Sequence, residues 1–279
     1  MMKFYKYQGA GNDFLIADNR DGSLSLTTEQ IASLCDRRYG IGADGLMLLE
    51  TSDSYDFKMT YFNSDGSGGM MCGNGGRCMV AFAADMGITH FDFEAADGFH
   101  TAEVLSDSRG VKMVRLKMKD VTDISRHESL TGVSSFAEGY FLDTGTRHYV
   151  RKVEDLENYD IVGEGRYIRY NAQEFLPVGV NVNFIEPQDD VLKVRTYEKG
   201  VEEETFACGT GIVASCIAAY IRGVAPSSSE QGRVRYDVQA KRDRLSVDFM
   251  PNVNDSFTDV WLTGPATFVA ELLLPCMIN

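Results

Sequence analysis

At 279 residues with 44% hydrophobic content, the chain is long enough to bury a substantial core, as two lobes or one large domain. Its 27 Lys and Arg against 41 Asp and Glu give a formal charge of -14, a surface that repels phosphate backbones and anionic headgroups and argues against nucleic-acid partners. No apolar run approaches the roughly 18 residues of a membrane helix, no signal core follows Met1-Met2-Lys3, and six cysteines are too sparse for a disulfide scaffold, so a cytoplasmic chain with reduced thiols and no membrane association is expected.

In chain order, Gly9-Ala10-Gly11-Asn12-Asp13-Phe14 comes first and reads as a tight turn, as does Gly40-Ile41-Gly42-Ala43-Asp44-Gly45. Neither contains the GxxxxGK[ST] phosphate loop, nor GxGxxG in a strand-turn-helix setting. Helical patterns cover 28–38, 76–86 and 210–222, each opened by Thr, Asn or Gly neighbours that can cap it. Strand-like segments near 58–62 and 191–197 precede the second and third of these helices, and 111–118 alternates with the period of a half-buried strand. Pro226-Ser227-Ser228-Ser229 reads as a surface loop, and 266–274 as a last strand that returns to either lobe.

Strands outnumber helices, which points to an α+β fold of two pseudo-symmetric lobes, each a mostly antiparallel sheet around one apolar helix. A boundary near Asp120 divides the chain into residues 1–119, carrying Cys72 and completed by the C-terminal strand 265–279, and residues 120–264, carrying Cys208. The expected active site is a cleft between the lobes.

The same local phrase introduces two of the helices: Cys72-Gly73-Asn74-Gly75 and Cys208-Gly209-Thr210-Gly211. A cysteine at a helix start lies near unpaired first-turn N–H groups and the positive end of the helix dipole, both of which favour thiolate. Neighbouring glycines let the backbone approach a ligand and offer N–H groups to a carboxylate. Inverting a stereocentre removes a proton from one face and delivers one to the other, which two tuned thiols can do. Packing at helix starts is the competing reading. Metal binding is disfavoured, because Cys72-x5-Cys78 and Cys208-x7-Cys216 lack zinc spacing. Cys78 and Cys216 fall inside apolar helical patterns and, with Cys35 and Cys276, read as structural.

Taken with Phe62-Asn63-Ser64-Asp65-Gly66-Ser67 and Asn181-Val182-Asn183-Phe184, these phrases make the chain resemble the diaminopimelate epimerase family over nearly its whole length. The resemblance implies a cofactor-independent enzyme that interconverts LL- and meso-2,6-diaminopimelate, with no PLP and no metal, in lysine and peptidoglycan-precursor synthesis. It implies Cys72 and Cys208 as the acid/base pair, with His148 and Glu198 helping to manage protons. Backbone groups of Gly73, Asn74, Gly209 and Thr210 correspond to those that grip the carboxylate at the reacting carbon. Asn12, Asn63 and Asn181 correspond to substrate-holding positions, the latter two at the distal end. The partner is a small amino-acid substrate, and a homodimer is an allowed assembly.

Two departures fall at the distal end. Tyr197-Glu198-Lys199-Gly200 has Lys199 where the family has an Arg for the distal carboxylate, and the two are not equivalent at a bidentate site. Gly145-Thr146-Arg147-His148 stands where Gly-Asn-Pro-His is usual, so Thr146 replaces an amide and Arg147 is a candidate substitute for the guanidinium. Three rivals follow: a related racemase with another substrate, a cysteine-nucleophile hydrolase or transferase using His148 as base, and a two-lobed amino-acid binder without proton transfer.

Overall fold

The computed structural model describes residues 1–134 and 138–275, so Cys276 and the end of the expected C-terminal strand lie outside the described residues. The chain divides into two compact units, Met1–Leu116 with the segment from Gly264 onward, and Lys117–Thr263. The first contains β1 (Met2–Gly9), β2 (Asn12–Asp18), α1 (Thr28–Cys35), β3 (Gly45–Glu50), β4 (Phe57–Asn63), α2 (Gly73–Asp85), β5 (Asp92–Ala95), β6 (Gly98–Ser108) and β7 (Val111–Lys117). The second contains β8 (Ile124–His127), β9 (Gly139–Asp143), β10 (Arg147–Lys152), α3 (Ile161–Asn171), β11 (Asn181–Gln188), β12 (Val191–Glu198), β13 (Glu203–Thr205), α4 (Gly209–Ile221), β14 (Ser228–Glu230), β15 (Arg233–Gln239) and β16 (Arg244–Pro251). The last strand, β17 (Phe257–Leu274), gives its first residues to the second unit and the rest to the first.

In the first unit β1 pairs antiparallel with β2, β2 parallel with β3, β3 antiparallel with β4 and β4 parallel with β5. β5, β6 and β7 then run antiparallel in turn. The later part of β17 pairs with both β7 and β1, so these strands close into a ring with no free edge. The reading of Gly9 to Phe14 as a tight turn holds: Ala10 and Gly11 link β1 to β2 with φ of 52° and 89°, the two positive angles of a type I′ hairpin.

The second unit repeats this succession of directions. β9 is antiparallel to β10, β10 parallel to β11, β11 antiparallel to β12, and β12 parallel to β15; β15, β16 and the start of β17 follow antiparallel. α3 falls between β10 and β11 as α1 falls between β2 and β3, and α4 precedes β15 as α2 precedes β5. Ser228 and Ser229, expected in a loop, instead pair with β15 as the short strand β14. α3 was not expected at all, because its two glycines hide the helical spacing of its buried residues, Ile161, Gly165 and Ile168.

The two cysteine-led helices form the centre of their units. Every residue of α2 from Gly73 to Ala83 is buried, as are most of α4, in keeping with helices that, apart from Asn74 and Arg77 in α2, are mostly apolar or small all round. α2 begins at Gly73, earlier than the expected residue 76, since packing against β1, β2 and β3 overrides the poor helix propensity of its glycines. Its far end carries Asp85, a charge the helix dipole disfavours there, and Lys112 offsets it at 2.6 Å.

Close approach of β1 to α2 needs Gly9. A Cβ there would lie 3.0 Å from both the Asn74 carbonyl oxygen and the buried Cys78 Sγ. Gly9→Ala should therefore lower stability by about 1–3 kcal/mol, the usual range for overpacking, instead of gaining from reduced backbone freedom. Urea unfolding followed by circular dichroism checks this, and an unchanged midpoint would refute it.

Candidate active site

Cys72 is the N-cap of α2, with extended backbone angles of φ -116° and ψ 152°, and its Sγ accepts the Gly75 N–H at 3.3 Å. The sulfur thus takes the place that a Ser or Asp oxygen usually holds at a helix start. Beside it, Asn74 Nδ2 donates to Asn12 Oδ1 at 2.9 Å, and Asn12 Nδ2 donates to Asp44 Oδ2 at 2.7 Å. Arg37 bridges Asp44 and Asp13, and Lys6 also pairs with Asp13. Burial pushes the Asp13 carboxyl up, but Arg37 and Lys6 outweigh it and hold the group down at about 2. Asn63, at the end of β4, donates to Ser67 Oγ at 3.1 Å inside its own turn.

In the second unit Cys208 is buried at the start of α4, with Sγ 3.4 Å from Thr210 Oγ1. Thr144 Oγ1 donates to the Thr210 carbonyl at 3.0 Å and supports the same first turn. His148 is fully buried, its Nε2 lying 2.8 Å from Thr146 Oγ1 and 3.0 Å from Thr210 Oγ1. On its other side Asn183 Nδ2 lies 3.0 Å from His148 Nδ1. Asn183 Nδ2 also donates to the Tyr149 carbonyl while Asn183 Oδ1 accepts from Thr196, which fixes the amide's direction. Nδ1 of His148 is therefore the acceptor, Nε2 carries the hydrogen, and the imidazole donates to the threonine hydroxyls. Burial pushes the His148 pKa down to about 3, so the ring is neutral at working pH.

Thr146, at the position of a distal amide in the resembled family, thus joins the hydroxyl pair between His148 and Thr210, the two hydroxyls being 3.0 Å apart. The Arg147 guanidinium donates to the carbonyls of Phe175 and Gly179 and lies over the Phe141 ring. Asn181 is held from both ends, Nδ2 on the Arg147 carbonyl and Oδ1 accepting the Lys199 N–H at 2.8 Å, while the Lys199 side chain is exposed. Burial raises the Glu198 carboxyl above its ordinary range. Cys35, Cys78 and Cys216 are buried, and burial raises all three thiols, Cys35 to about 11.

Asn183, Thr144, Asp44 and Arg77 were not singled out from the sequence. Asn183 had a signal, because residues 181 and 183 of a strand share one face and an apolar residue between them marks the other. Gly211 shows how tight this corner is, since a Cβ there would lie 2.4 Å from Asn183 Oδ1.

The fold is shared with solved structures of low sequence identity. A Bacillus anthracis phenazine biosynthesis protein of the PhzF family superposes with a TM-score of 0.72 at 14% identity, covering 98% of this chain and 99% of that one. A hydroxyproline epimerase from Agrobacterium vitis gives 0.68 at 16% identity, covering 97% and 90%. Sequence relatives are nearer: a diaminopimelate epimerase of Flavobacterium psychrophilum is 42% identical over 97% of this chain and 99% of its own length. Another, from Chlorobaculum tepidum, is 43% identical over 94% of this chain and 96% of its own. The protein is an isomerase of the epimerase class. The family model of diaminopimelate epimerase matches residues 4–121 and 140–251, and the chain belongs to that family.

Because His148 sits near 3 in the folded chain and near 6.5 unfolded, the unfolded state binds the extra proton between those values. Stability is unaffected by this group above about pH 6.5 and falls as pH drops below it, by up to about 1.4 kcal/mol per pH unit. His148→Gln should flatten the loss of stability between about pH 6.5 and 4.5. Parallel slopes for the two proteins in urea titrations across that window would show that His148 is not buried neutral.

Proposed function

We propose that this protein interconverts LL- and meso-2,6-diaminopimelate by two-base proton transfer, with Cys72 and Cys208 as the acid/base pair and no PLP, metal or nucleotide. The observation that carries the reading is the repeated cysteine at the start of a buried helix, at the same topological place in each unit. One thiolate takes the α-proton and becomes a thiol, leaving the electron pair on the α-carbon and its carboxylate. The other thiol gives its proton to the opposite face and becomes the thiolate, so the product leaves with the roles exchanged. Helix-start N–H groups at Gly73, Asn74, Gly209 and Thr210 suit the charge that builds on the carboxylate.

In this reading the neutral His148 donates to Thr210 and leaves the threonine hydroxyl proton available to the Cys208 sulfur. Glu198, Asn12, Asn63 and Asn181 serve the substrate's polar groups, and a cytoplasmic setting suits thiols that must stay reduced. The hydrolase rival would leave one of the two cysteine turns without a purpose, and membership of the family favours diaminopimelate over another amino acid.

In D2O the purified protein, with nothing else added, should place solvent deuterium at the inverted α-carbon of diaminopimelate. Cys72→Ser and Cys208→Ser should each cut inversion by at least about 100-fold, since a hydroxyl is a far poorer acid/base than a tuned thiol. Folded, reduced protein that puts no α-deuterium into any diamino acid would end the epimerase reading. For the distal end, Lys199→Ala should raise KM several-fold, about 1 kcal/mol of lost binding, with Lys199→Arg recovering it; unchanged KM in steady-state assays would remove Lys199 from the site.

A further inference from the structure

The Asn74 and Asn12 amides have a direction that the thiol chemistry does not require. Arg77 is fully buried in the early part of α2, where its Nη1 donates to the Gly73 carbonyl at 3.1 Å and its Nη2 donates to Asn74 Oδ1 at 2.8 Å. A guanidinium can only donate, so the oxygen of the Asn74 amide must face it. The Asn74 nitrogen then faces Asn12, whose oxygen accepts, and the Asn12 nitrogen faces Asp44, whose carboxylate can only accept. A donor-only group at one end and an acceptor-only group at the other leave each amide one orientation out of two.

Stability alone does not explain this guanidinium. Burying a charge is costly unless its bonds repay the lost hydration, and a cation in the first turns of a helix is opposed by the dipole. A buried Met or Leu would fill the same interior without either cost. The Arg77 bonds go to the residue after Cys72 and to the side chain beyond it, the stretch that starts the helix.

We infer that Arg77 is a positioning residue: it sets the direction of the Asn74 and Asn12 side-chain amides, so that Asn12 offers its remaining N–H and its remaining oxygen lone pair at fixed, non-interchangeable places. An amino-acid end presents a donor ammonium beside an acceptor carboxylate, and a reversed amide would set donor against donor and acceptor against acceptor. The direction thereby selects how the amino-acid substrate lies. This rests on the epimerase reading for its use, but the amide direction itself is a property of the substrate-free protein.

The test reads Asn12, which lies one hydrogen-bonded amide beyond the Asn74 oxygen that Arg77 holds. In 15N-labelled, substrate-free protein the Asn12 carboxamide signals are assigned by their loss in Asn12→Ala, and their hydrogen exchange is measured. Arg77→Met should speed exchange at Asn12 by at least about tenfold and lower kcat/KM by at least about tenfold, chiefly through KM. Arg77→Lys, again a donor-only cation, should bring both back to within about threefold of the wild type. Asn74→Ala cuts the link between Arg77 and Asn12 and should repeat the faster exchange at Asn12 with Arg77 in place, which decides the matter if Arg77→Met does not fold. An unchanged Asn12 carboxamide in folded Arg77→Met or in Asn74→Ala overturns the inference. Absence of α-deuterium with the wild-type protein would instead sink the epimerase reading while leaving the Asn12 exchange result to stand or fall separately.

Discussion

A helix buried among strands must settle its first N–H groups with whatever stands at its start. The two halves of this protein answer it differently. In α2 the settlement is made by sulfur, as Cys72 Sγ accepts the Gly75 N–H, and glycines and alanines along the helix let the strands close around it. In α4 the start is braced by hydroxyls, with Thr144 on the Thr210 carbonyl and Thr210 beside the Cys208 sulfur. Putting a reactive group at such a place surrounds it with oriented dipoles that need no rearrangement when charge appears on a ligand.

The shared topology hosts two different electrostatic settings. At the start of α2 stands a buried guanidinium, charged at every accessible pH, tied into a chain of amides that ends on the Asp44, Arg37 and Asp13 cluster. At the start of α4 stands a buried imidazole that burial keeps neutral, tied into a chain of hydroxyls. The two units have thus kept the order and direction of their strands while exchanging the polar chemistry behind each cysteine. The two cysteines therefore stand in different electrostatic company.

Much of this was legible in the residues. The two Cys-Gly-x-Gly phrases located both central helices, and the apolar character of 76–86 and 210–222 marked them as buried. The α+β class followed from the alternating segments, and the family from the resemblance of the motifs. What stayed hidden has physical causes. The repeated succession of strand directions is carried by which strands pair, and residue identity barely constrains that choice. Arg77 looked like one basic residue in an apolar helix, and only its burial and its two partners separate it from a surface arginine. Thr146 read as a loss at the distal end, whereas its hydroxyl meets His148 and Thr210. Asp44 sat in a glycine-rich phrase that explained itself as a turn.

β17 has a consequence for the order in which the protein can be made. The second unit, Lys117–Thr263, holds all its strands within one continuous stretch, whereas the ring around α2 is closed by residues from Gly264 onward. During synthesis β1 and β7 each lack one of their two neighbours until residues from Gly264 onward have left the ribosome. Two unpaired edges and a helix with an unfinished cover are what chaperones and aggregation both recognise. The unit around α2 is therefore completed only after the second unit has been made, and a chain cut before Gly264 keeps the second unit's strands but cannot close the ring around α2.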